Sequence, residues 1–167
     1  MTDELKADLT GHRIEGIARH GNKGFSVPLI SHVMGNLFQG GCIQGVPLPA
    51  GILHVVSLYP WEEYHEHDNV LTSTRVKMYD SADGPDETLV WLLAAHVNRL
   101  CAHGPTLVHC QAGLNRSGLI SALALRLHGL EADAAVALLR EQRSPAVLCN
   151  PVFEAFALES PTASVPA

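Results

Sequence analysis

The feature that most constrains the fold is a strand-like apolar run that ends in a cysteine and then turns tightly into a helix-like run. Residues 106–118 read TLVHCQAGLNRSG, and LISALALRL follows with apolar residues at helical spacing. Five residues separate Cys110 from Arg116, with Gly113 near the middle. A strand that leads directly into a helix is the building unit of an α/β sheet, where ligands bind beyond the carboxyl ends of the strands. The cysteine therefore lies at a predicted binding position.

The flanking segments alternate between strand-like and helix-like patterns. GNLFQGG, GILHVVSL and TRVKMY are typical of strands, and ETLVWLLAAHVNRLCAHG is apolar at helical spacing and closes at a glycine. The last third is helical, through LISALALRLHG, EADAAVALLREQR and NPVFEAFAL, the last with an asparagine cap and a proline at its first position. We therefore predict an α/β fold with a central, mostly parallel sheet flanked by helices.

The length of 167 residues and the absence of an internal repeat favour a single domain. We expect residues 1–35 to form an N-terminal extension, in which only a weak helical pattern runs from Glu4 to Arg19. Residues 36–160 should form the functional domain. Residues 161–167, PTASVPA, are small and contain proline, so we expect a frayed tail there.

The composition excludes several classes of function. A formal net charge of -6 argues against a general binder of nucleic acid or of anionic membranes, because both partners require a basic surface. The four cysteines form no CxxC pair, so neither a zinc ribbon nor a disulfide scaffold is indicated. The first residues, MTDELKADLT, lack the pattern of a secretory signal, and no run of about 18 apolar residues follows. We expect a cytoplasmic protein with no nucleic-acid or membrane partner, and no pattern indicates an oligomeric state.

The turn between Cys110 and Arg116 is suited to binding a small anion. A loop of this length over a helix N-terminus can direct several backbone N–H groups at one anion, and Gly113 permits the positive φ that such wrapping requires. The helix dipole and these amides also favour the thiolate form of Cys110, which would make it a nucleophile. Arg116 carries a planar fork of donors that fits two oxygens of a phosphoryl group.

HCQAGLNRSG resembles the His-Cys-x5-Arg-Ser/Thr signature of cysteine-dependent protein tyrosine phosphatases, in particular the dual-specificity branch. The similarity runs in order over residues 36–158, through NLFQGG, HVVSL, VKMYD and LREQRSPA. It implies that residues 36–160 are a phosphatase catalytic domain that hydrolyses phosphomonoesters through a phosphocysteine intermediate. The substrate would be a phosphorylated protein or a small phosphomonoester, and the reaction would need no metal and no other cofactor.

The resemblance also implies roles for individual residues. Cys110 would attack phosphorus, Arg116 would bind the phosphate and stabilise the transition state, and Ser117 would hydrogen-bond the sulfur as it leaves. His109 would support the loop through hydrogen bonds. The phosphate would be held by the backbone amides of a loop that consists of Gln111, Ala112, Gly113, Leu114, Asn115 and Arg116.

A general acid must protonate the leaving oxygen, and KMYDSADGPDET offers three carboxylates. Asp80 directly follows TRVKMY, 30 residues before Cys110, which is where related dual-specificity enzymes carry their acid. Asp83 precedes Gly84, which resembles the Asp-Gly form of the acid in other members of the phosphatase family. Asp83 or Asp86 could also simply cap the helix that follows. We expect Asp80 to be the acid, with Asp83 as the alternative.

Other functions are compatible with the same loop. GLNR also resembles the Gly-x-Asn-Arg form of RNA 5'-triphosphatases, but the acidic chain offers few cations to a polyanion. A phosphoinositide phosphatase is disfavoured because the loop has no lysine. A noncatalytic phosphate-binding module would commonly lack the cysteine, the arginine or the acid, and this sequence keeps candidates for all three. A reductase would need Cys42, Cys101 or Cys149 as a resolving cysteine.

The polar segment WEEYHEHDN contains two histidines around a glutamate, His65 and His67. Their spacing does not match the HExxH pattern of a zinc hydrolase, so we expect a solvated loop and not a metal site. Trp61 and Tyr64 in this segment could wall the cleft or pack beneath the loop.

Overall fold

The computed structural model describes residues 9–165. The described strands are β1 (Arg13–Ile17), β2 (Gly24–Pro28), β3 (Ile30–Met34), β4 (Leu37–Gly40), β5 (His54–Ser57), β6 (Thr72–Arg75) and β7 (Thr106–His109). The described helices are α1 (Glu87–Cys101), α2 (Arg116–Leu127), α3 (Ala132–Gln142) and α4 (Pro151–Glu159). None of the helices within this range is long and apolar enough to cross a membrane.

The main sheet has five strands in the order β3-β4-β7-β5-β6. Strands β4, β7, β5 and β6 are parallel, and β3 pairs with β4 in the antiparallel sense. The predicted α/β fold with a mostly parallel sheet is confirmed. Because β4, β5 and β7 run in the same direction, Gly40, Ser57 and His109 lie in register at their carboxyl ends. The residues that follow these three ends meet at one edge of the sheet.

The two faces of the sheet bury different layers. Along β7, Val108 packs into the larger apolar cluster with the buried residues of all four described helices, whereas Leu107 packs into a second cluster. The second cluster also contains Leu48, from the coil between β4 and β5, and Tyr64, from the coil between β5 and β6. Both faces of β7 are therefore fully buried, which explains why its two central residues, Leu107 and Val108, are both apolar and do not alternate with polar ones.

The first two strands form a separate antiparallel hairpin of two strands. The weak helical pattern that suggested a helix up to Arg19 is wrong over β1, and its part before Leu9 lies outside the described residues. The tight turn at Gly21-Asn22, where both residues have positive φ, joins two short strands and overrides the weak apolar spacing. Strand β3 already belongs to the main sheet, so the sheet starts six positions before residue 36, where we expected the functional domain to begin.

The segment after β6 carries the backbone along the carboxyl edge of the sheet. Strand pairing ends at Arg75, earlier than the TRVKMY pattern suggests, but Val76 N still donates to Ser57 O and Met78 N to Leu58 O. These bonds fix the chain on its way to Asp80.

At the C-terminal end of the described residues, Arg126 donates to Ser160 O, and the tail residues Ala163 and Val165 pack against the helical core.

Candidate active site

The loop of residues 111–116, called the phosphate-binding loop after the role predicted for its amides, connects β7 to α2 at the carboxyl edge of the sheet. All carbonyl oxygens of residues 111–115 accept hydrogen bonds from the surrounding protein, from Cys42 N, Arg143, Leu148 N and Leu119 N. By contrast, no backbone N–H of residues 111–115 donates to an acceptor within residues 9–165. The loop therefore turns its carbonyls outward and presents a row of unused N–H donors, which is the arrangement that binds an anion.

Gly113 determines the shape of this loop. Its φ is +74°, in the left-handed region that favours glycine. A Cβ at this position would collide with the backbone of Gly40 and with the guanidinium of Arg143. The sequence predicts the positive φ, but not the close approach of β4, which makes the glycine a steric requirement as well.

Cys110 is buried at the start of the loop, with its Sγ 3.4 Å from the Oγ of Ser117. The same hydroxyl lies 3.3 Å from the amide nitrogen of Gln39, which also donates to Gly113 O at 3.0 Å. Gln39 thus connects β4 to both the loop and the hydroxyl beside the sulfur. A Ser117 hydroxyl at this distance can donate a hydrogen bond to a Cys110 thiolate.

Arg116 begins α2 and is buried, yet no carboxylate within the described residues pairs with it. One terminal nitrogen donates to Met78 O at 3.2 Å, and the guanidinium lies 5.0 Å from the ring centroid of Tyr59. Its Nε has no hydrogen-bond partner. A buried cation with an unused donor beside unpaired backbone amides requires an anion to compensate it.

Arg143 is a residue that sequence analysis missed. It lies directly after α3, and its Nε donates to Gly113 O at 2.7 Å while an Nη donates to Ala112 O at 3.0 Å. Its other Nη reaches Pro28 O at 2.9 Å and Ser31 Oγ at 3.0 Å. Burial lowers the pKa of Arg143 to about 10, which leaves it charged at neutral pH. The sequence around Arg143 does not indicate this role, because all its partners but Ser31 are backbone carbonyls of distant segments.

His109 supports the loop from the opposite face of β7. Its ring packs edge-on against Tyr64 at 5.3 Å, and its Nδ1 lies 3.3 Å from Cys110 O. Burial lowers the pKa of His109 to about 4, so the ring is neutral at physiological pH. Tyr64 does not wall the cleft; it is buried, and its hydroxyl donates to Gly41 O at 2.6 Å. Trp61 is half-exposed, packs against Tyr59 at a ring-centroid distance of 4.9 Å, and does not line the cleft.

Asp80 lies beside the phosphate-binding loop. Its Oδ2 accepts from Asn115 Nδ2 at 2.9 Å, and its Oδ1 accepts from Asn150 Nδ2 at 2.8 Å. Asn150 also caps α4, and its backbone N donates to Asn115 Oδ1 at 2.9 Å. Asn115 stands at the N-terminus of α2 but makes no side-chain capping bond, because its amide is committed to Asp80 and Asn150. His20 of the hairpin turn also contacts Asp80, at 3.3 Å.

The other two carboxylates of KMYDSADGPDET lie elsewhere. Asp86 caps α1 through Leu89 N at 3.0 Å, as the sequence indicates for a capping residue. Asp83 is exposed in the preceding turn, where its backbone N donates to Ser81 Oγ, and it does not line the cleft. The structure therefore brings Asp80 to Cys110 and Arg116, and leaves Asp83 outside.

A cleft of about 360 Å³ opens over the cysteine. Its inner wall is formed by the phosphate-binding loop, Cys110 and Asp80. Its outer wall is the hairpin of β1 and β2, which sequence analysis left without a role, and it consists of Ile14, Glu15, Gly16, Ile17, Ala18, Arg19 and Phe25. The turn sequence GNKG between two short runs was the available signal for this hairpin, but its position over the cleft is a tertiary effect.

The remaining cysteines are free thiols. Burial raises the pKa of Cys42 to about 12 and also raises that of Cys101, so both are neutral core thiols at physiological pH. Within residues 9–165, no group of three or more histidine, cysteine or carboxylate side chains could hold a metal ion. In the WEEYHEHDN segment, Glu66 accepts from Ser73 and pairs with Arg75, and His67 contacts Pro49 O.

The chain has the fold of dual-specificity phosphatases. Residues 61–137 match the family model described as "Tyrosine phosphatase family". The matched residues cover less than half of the chain and include the loop that carries the His-Cys-x5-Arg-Ser pattern. Comparison of the sequence with curated proteins finds no match.

Several solved structures share the fold. A mouse putative dual specificity phosphatase, complexed with zinc tungstate, is 20% identical with a TM-score of 0.66, over 80% of this chain and 88% of that one. Human DUSP28 is 21% identical with a TM-score of 0.65, over 76% and 92%. PTPMT1, in complex with PI(5)P, is 12% identical with a TM-score of 0.59, over 77% and 94%. At these identities the similarity establishes the fold alone.

Proposed function

We propose that this chain hydrolyses phosphomonoesters through a covalent phosphocysteine intermediate. The observation that carries the proposal is the loop geometry: the N–H groups of residues 111–115 are unpaired around a buried cysteine, beside an arginine without a counter-ion. A phosphate dianion in the loop would accept from these amides and from Arg116, satisfying donors that are otherwise unpaired.

In the first step, the Cys110 thiolate attacks phosphorus. The S–P bond forms as the P–O bond to the leaving group breaks, and the leaving oxygen keeps the electron pair and takes a proton from Asp80. Arg116 and the loop amides stabilise the charge on the equatorial oxygens during the transfer.

In the second step, water attacks the phosphocysteine. Asp80, now a carboxylate, accepts the proton of that water as the new P–O bond forms and the S–P bond breaks. The sulfur leaves as a thiolate, and the Ser117 hydroxyl, 3.4 Å away, stabilises it by a hydrogen bond. Inorganic phosphate is released, and Cys110 is ready for another substrate.

The cleft favours an aryl phosphate, which includes phosphotyrosine in a protein. The outer wall places the apolar side chains of Ile14, Ile17 and Phe25 across from the loop, so a phenyl ring would contact carbon on its way to the phosphate site. Glu15 and Asp80 also line the cleft, and Arg19 is the one wall cation besides Arg116. This balance of charge disfavours a 5'-triphosphate of RNA, whose several charges need more cations.

The experiment is hydrolysis of a small aryl phosphate across pH, with chelator present, by the wild type and three variants. We expect turnover by the wild type, none by Cys110→Ser, and loss of the basic limb of the pH profile in Asp80→Ala but not in Asp83→Ala. A wild type that binds phosphate analogues without turnover would instead identify a noncatalytic phosphate-binding module. Activity on an RNA 5'-triphosphate but not on aryl phosphates would identify the triphosphatase.

A further inference from the structure

We propose that the exposed cluster of Trp61, Lys77 and Tyr79, which we call the aromatic-lysine patch, is a docking surface for acidic residues that flank the phosphotyrosine of a protein substrate. The inference rests on the proposed function, because it concerns the substrate of that reaction. It specifies the charge of the polypeptide around the phosphotyrosine, which the cleft over Cys110 does not.

The patch brings exposed aromatic side chains together. Trp61 is 49% exposed and Tyr79 is 62% exposed, and within residues 9–165 no other tryptophan, tyrosine or phenylalanine is exposed. The centroids of the two rings lie 6.2 Å apart. Tryptophan and tyrosine are enriched on the surfaces through which proteins bind their partners, where they supply most of the binding energy. The pair therefore indicates an interaction surface.

Lys77 gives the patch its charge. Its Nζ lies 5.2 Å from the ring centroid of Trp61 and 5.3 Å from that of Tyr79, so both rings hold the ammonium group by cation–π contact. No carboxylate within the described residues forms an ion pair with Lys77, although the chain has a net charge of -6. An ammonium group that two rings position and no acid pairs is complementary to an acidic side chain of a partner.

The patch is continuous with the candidate active site through Tyr59. The ring centroid of Tyr59 lies 5.0 Å from Arg116 Cζ and 4.9 Å from the ring centroid of Trp61. Together with the 5.2 Å from Trp61 to Lys77, these contacts place Lys77 Nζ no more than about 15 Å from Arg116 Cζ. An extended peptide covers that distance in about five residues. An acidic residue near the phosphotyrosine can therefore reach Lys77 while the phosphate lies at Arg116.

A groove of about 360 Å³ beside the patch gives the peptide a path, and Lys77 and Tyr79 line it. Tyr79 and Ser81 line this groove whereas Asp80, between them, lines the cleft, so the two concavities meet at Asp80. Among the described residues, the one carboxylate that lines the groove is Asp86, which caps α1, and the helix dipole offsets its charge. A peptide that leaves the cleft past Asp80 therefore enters a groove edged by the lysine.

Phosphotyrosine peptides of different charge test this inference. The kcat/KM is measured for three peptides in which the residues around the phosphotyrosine are aspartate, asparagine or lysine, and for p-nitrophenyl phosphate, which has no flanking residues. The proteins are the wild type, Lys77→Met, Lys77→Glu and Trp61→Ala. Lys23→Met is the matched control, because Lys23 is the only other lysine within residues 9–165 and is exposed on the hairpin turn. Thermal unfolding verifies that each variant is folded.

We expect the wild type to prefer the aspartate peptide over the asparagine peptide by about fivefold at low salt, and to lose this preference as the salt concentration rises. Lys77→Met should abolish the preference, and Lys77→Glu should invert it toward the lysine peptide. Trp61→Ala should reduce kcat/KM for the peptides more than for p-nitrophenyl phosphate. Lys23→Met should keep the preference of the wild type.

The outcomes separate this inference from the proposed function. A wild type that hydrolyses p-nitrophenyl phosphate but does not discriminate among the peptides, or does not hydrolyse them, overturns the inference while the proposed function stands. A preference that survives Lys77→Met, or that Lys23→Met reduces as much, also overturns it, because the selection would then not come from the patch. A wild type inactive on p-nitrophenyl phosphate and on all three peptides overturns both.

Discussion

The Nε of Arg143 lies 2.7 Å from the carbonyl oxygen of Gly113, so a fully buried cation holds the middle of the phosphate-binding loop. The same side chain binds Pro28 O at the base of the hairpin and Ala112 O next to Gly113. One guanidinium therefore connects both walls of the cleft. Because it uses the loop carbonyls as acceptors, it leaves the opposite N–H groups of the loop without a partner in the described residues.

Replacing Arg143 with methionine should both destabilise the protein and impair catalysis. The carbonyl of Ala112 would lose its donor in a buried environment, and that of Gly113 would keep only Gln39 Nε2, and breaking such a network costs about 3–5 kcal/mol. We expect this fall in the free energy of urea unfolding and a loss of phosphate-analogue binding. Arg75→Met is the control, since Arg75 makes a half-exposed ion pair with Glu63 and its loss should cost less than about 1 kcal/mol. Equal effects of the two changes would contradict the role of Arg143.

Gly113→Ala should abolish activity, whereas Gly45→Ala should not. The two glycines have nearly the same backbone angle, with φ of +74° and +77°. A methyl group at Gly45 meets nothing within 4 Å, so only the backbone strain of about 1 kcal/mol remains. At Gly113 the methyl would strike Gly40 and Arg143 in addition, forcing the loop away from β4. Circular dichroism melting curves and aryl phosphate turnover of both variants measure the difference, and an active, stable Gly113→Ala would refute the steric argument.

How much of the fold and of the candidate site the sequence predicts depends on how far apart in the chain the interacting residues lie. The turn from β7 into α2, the cap at Asp86 and the proximity of Asp80 to the loop follow from local patterns and from the family signature. Arg143 and the β1–β2 hairpin do not, because their roles depend on contacts between segments far apart in the chain. Arg143 reaches Pro28 across 115 positions, and no periodicity encodes that distance.

Asn115 illustrates the same limit at close range. Its position before α2 predicts a helix cap, and it does occupy the N-cap position. Its side chain, however, bonds Asp80 and Asn150, which come from two other segments. A local pattern identified where the residue lies on the helix but not which partner its amide would choose.

Ser117→Ala should slow the second chemical step more than the first. In the proposed mechanism, the hydroxyl 3.4 Å from the Cys110 sulfur would stabilise the thiolate that departs when the phosphocysteine is hydrolysed. Rapid-mixing kinetics should therefore show a burst of phenolate release followed by a steady state reduced by about 10²-fold. Ser121→Ala, one turn further along α2, removes a buried hydroxyl that has no hydrogen-bond partner and should change neither phase. A steady-state loss without a burst would assign Ser117 to the first step or to loop structure.

His109 should make stability depend on pH between about 6.5 and 4. Burial lowers the pKa of His109 from 6.5 to about 4, so the folded protein takes up its proton later than the unfolded chain does. Its contribution is complete above pH 6.5 and is lost as the pH falls toward 4, by about 3 kcal/mol in total. His109→Asn should therefore lower the free energy of unfolding at pH 7 but reduce the further loss between pH 7 and pH 4.5 by most of that amount. Burial also lowers the pKa values of His54 and His96, but their effects cancel in this difference because both proteins retain the two residues.

Urea unfolding at both pH values measures the change, with His65→Asn at an exposed position as the control. An acid sensitivity that is identical in His109→Asn and the wild type would mean that the buried ring does not resist protonation.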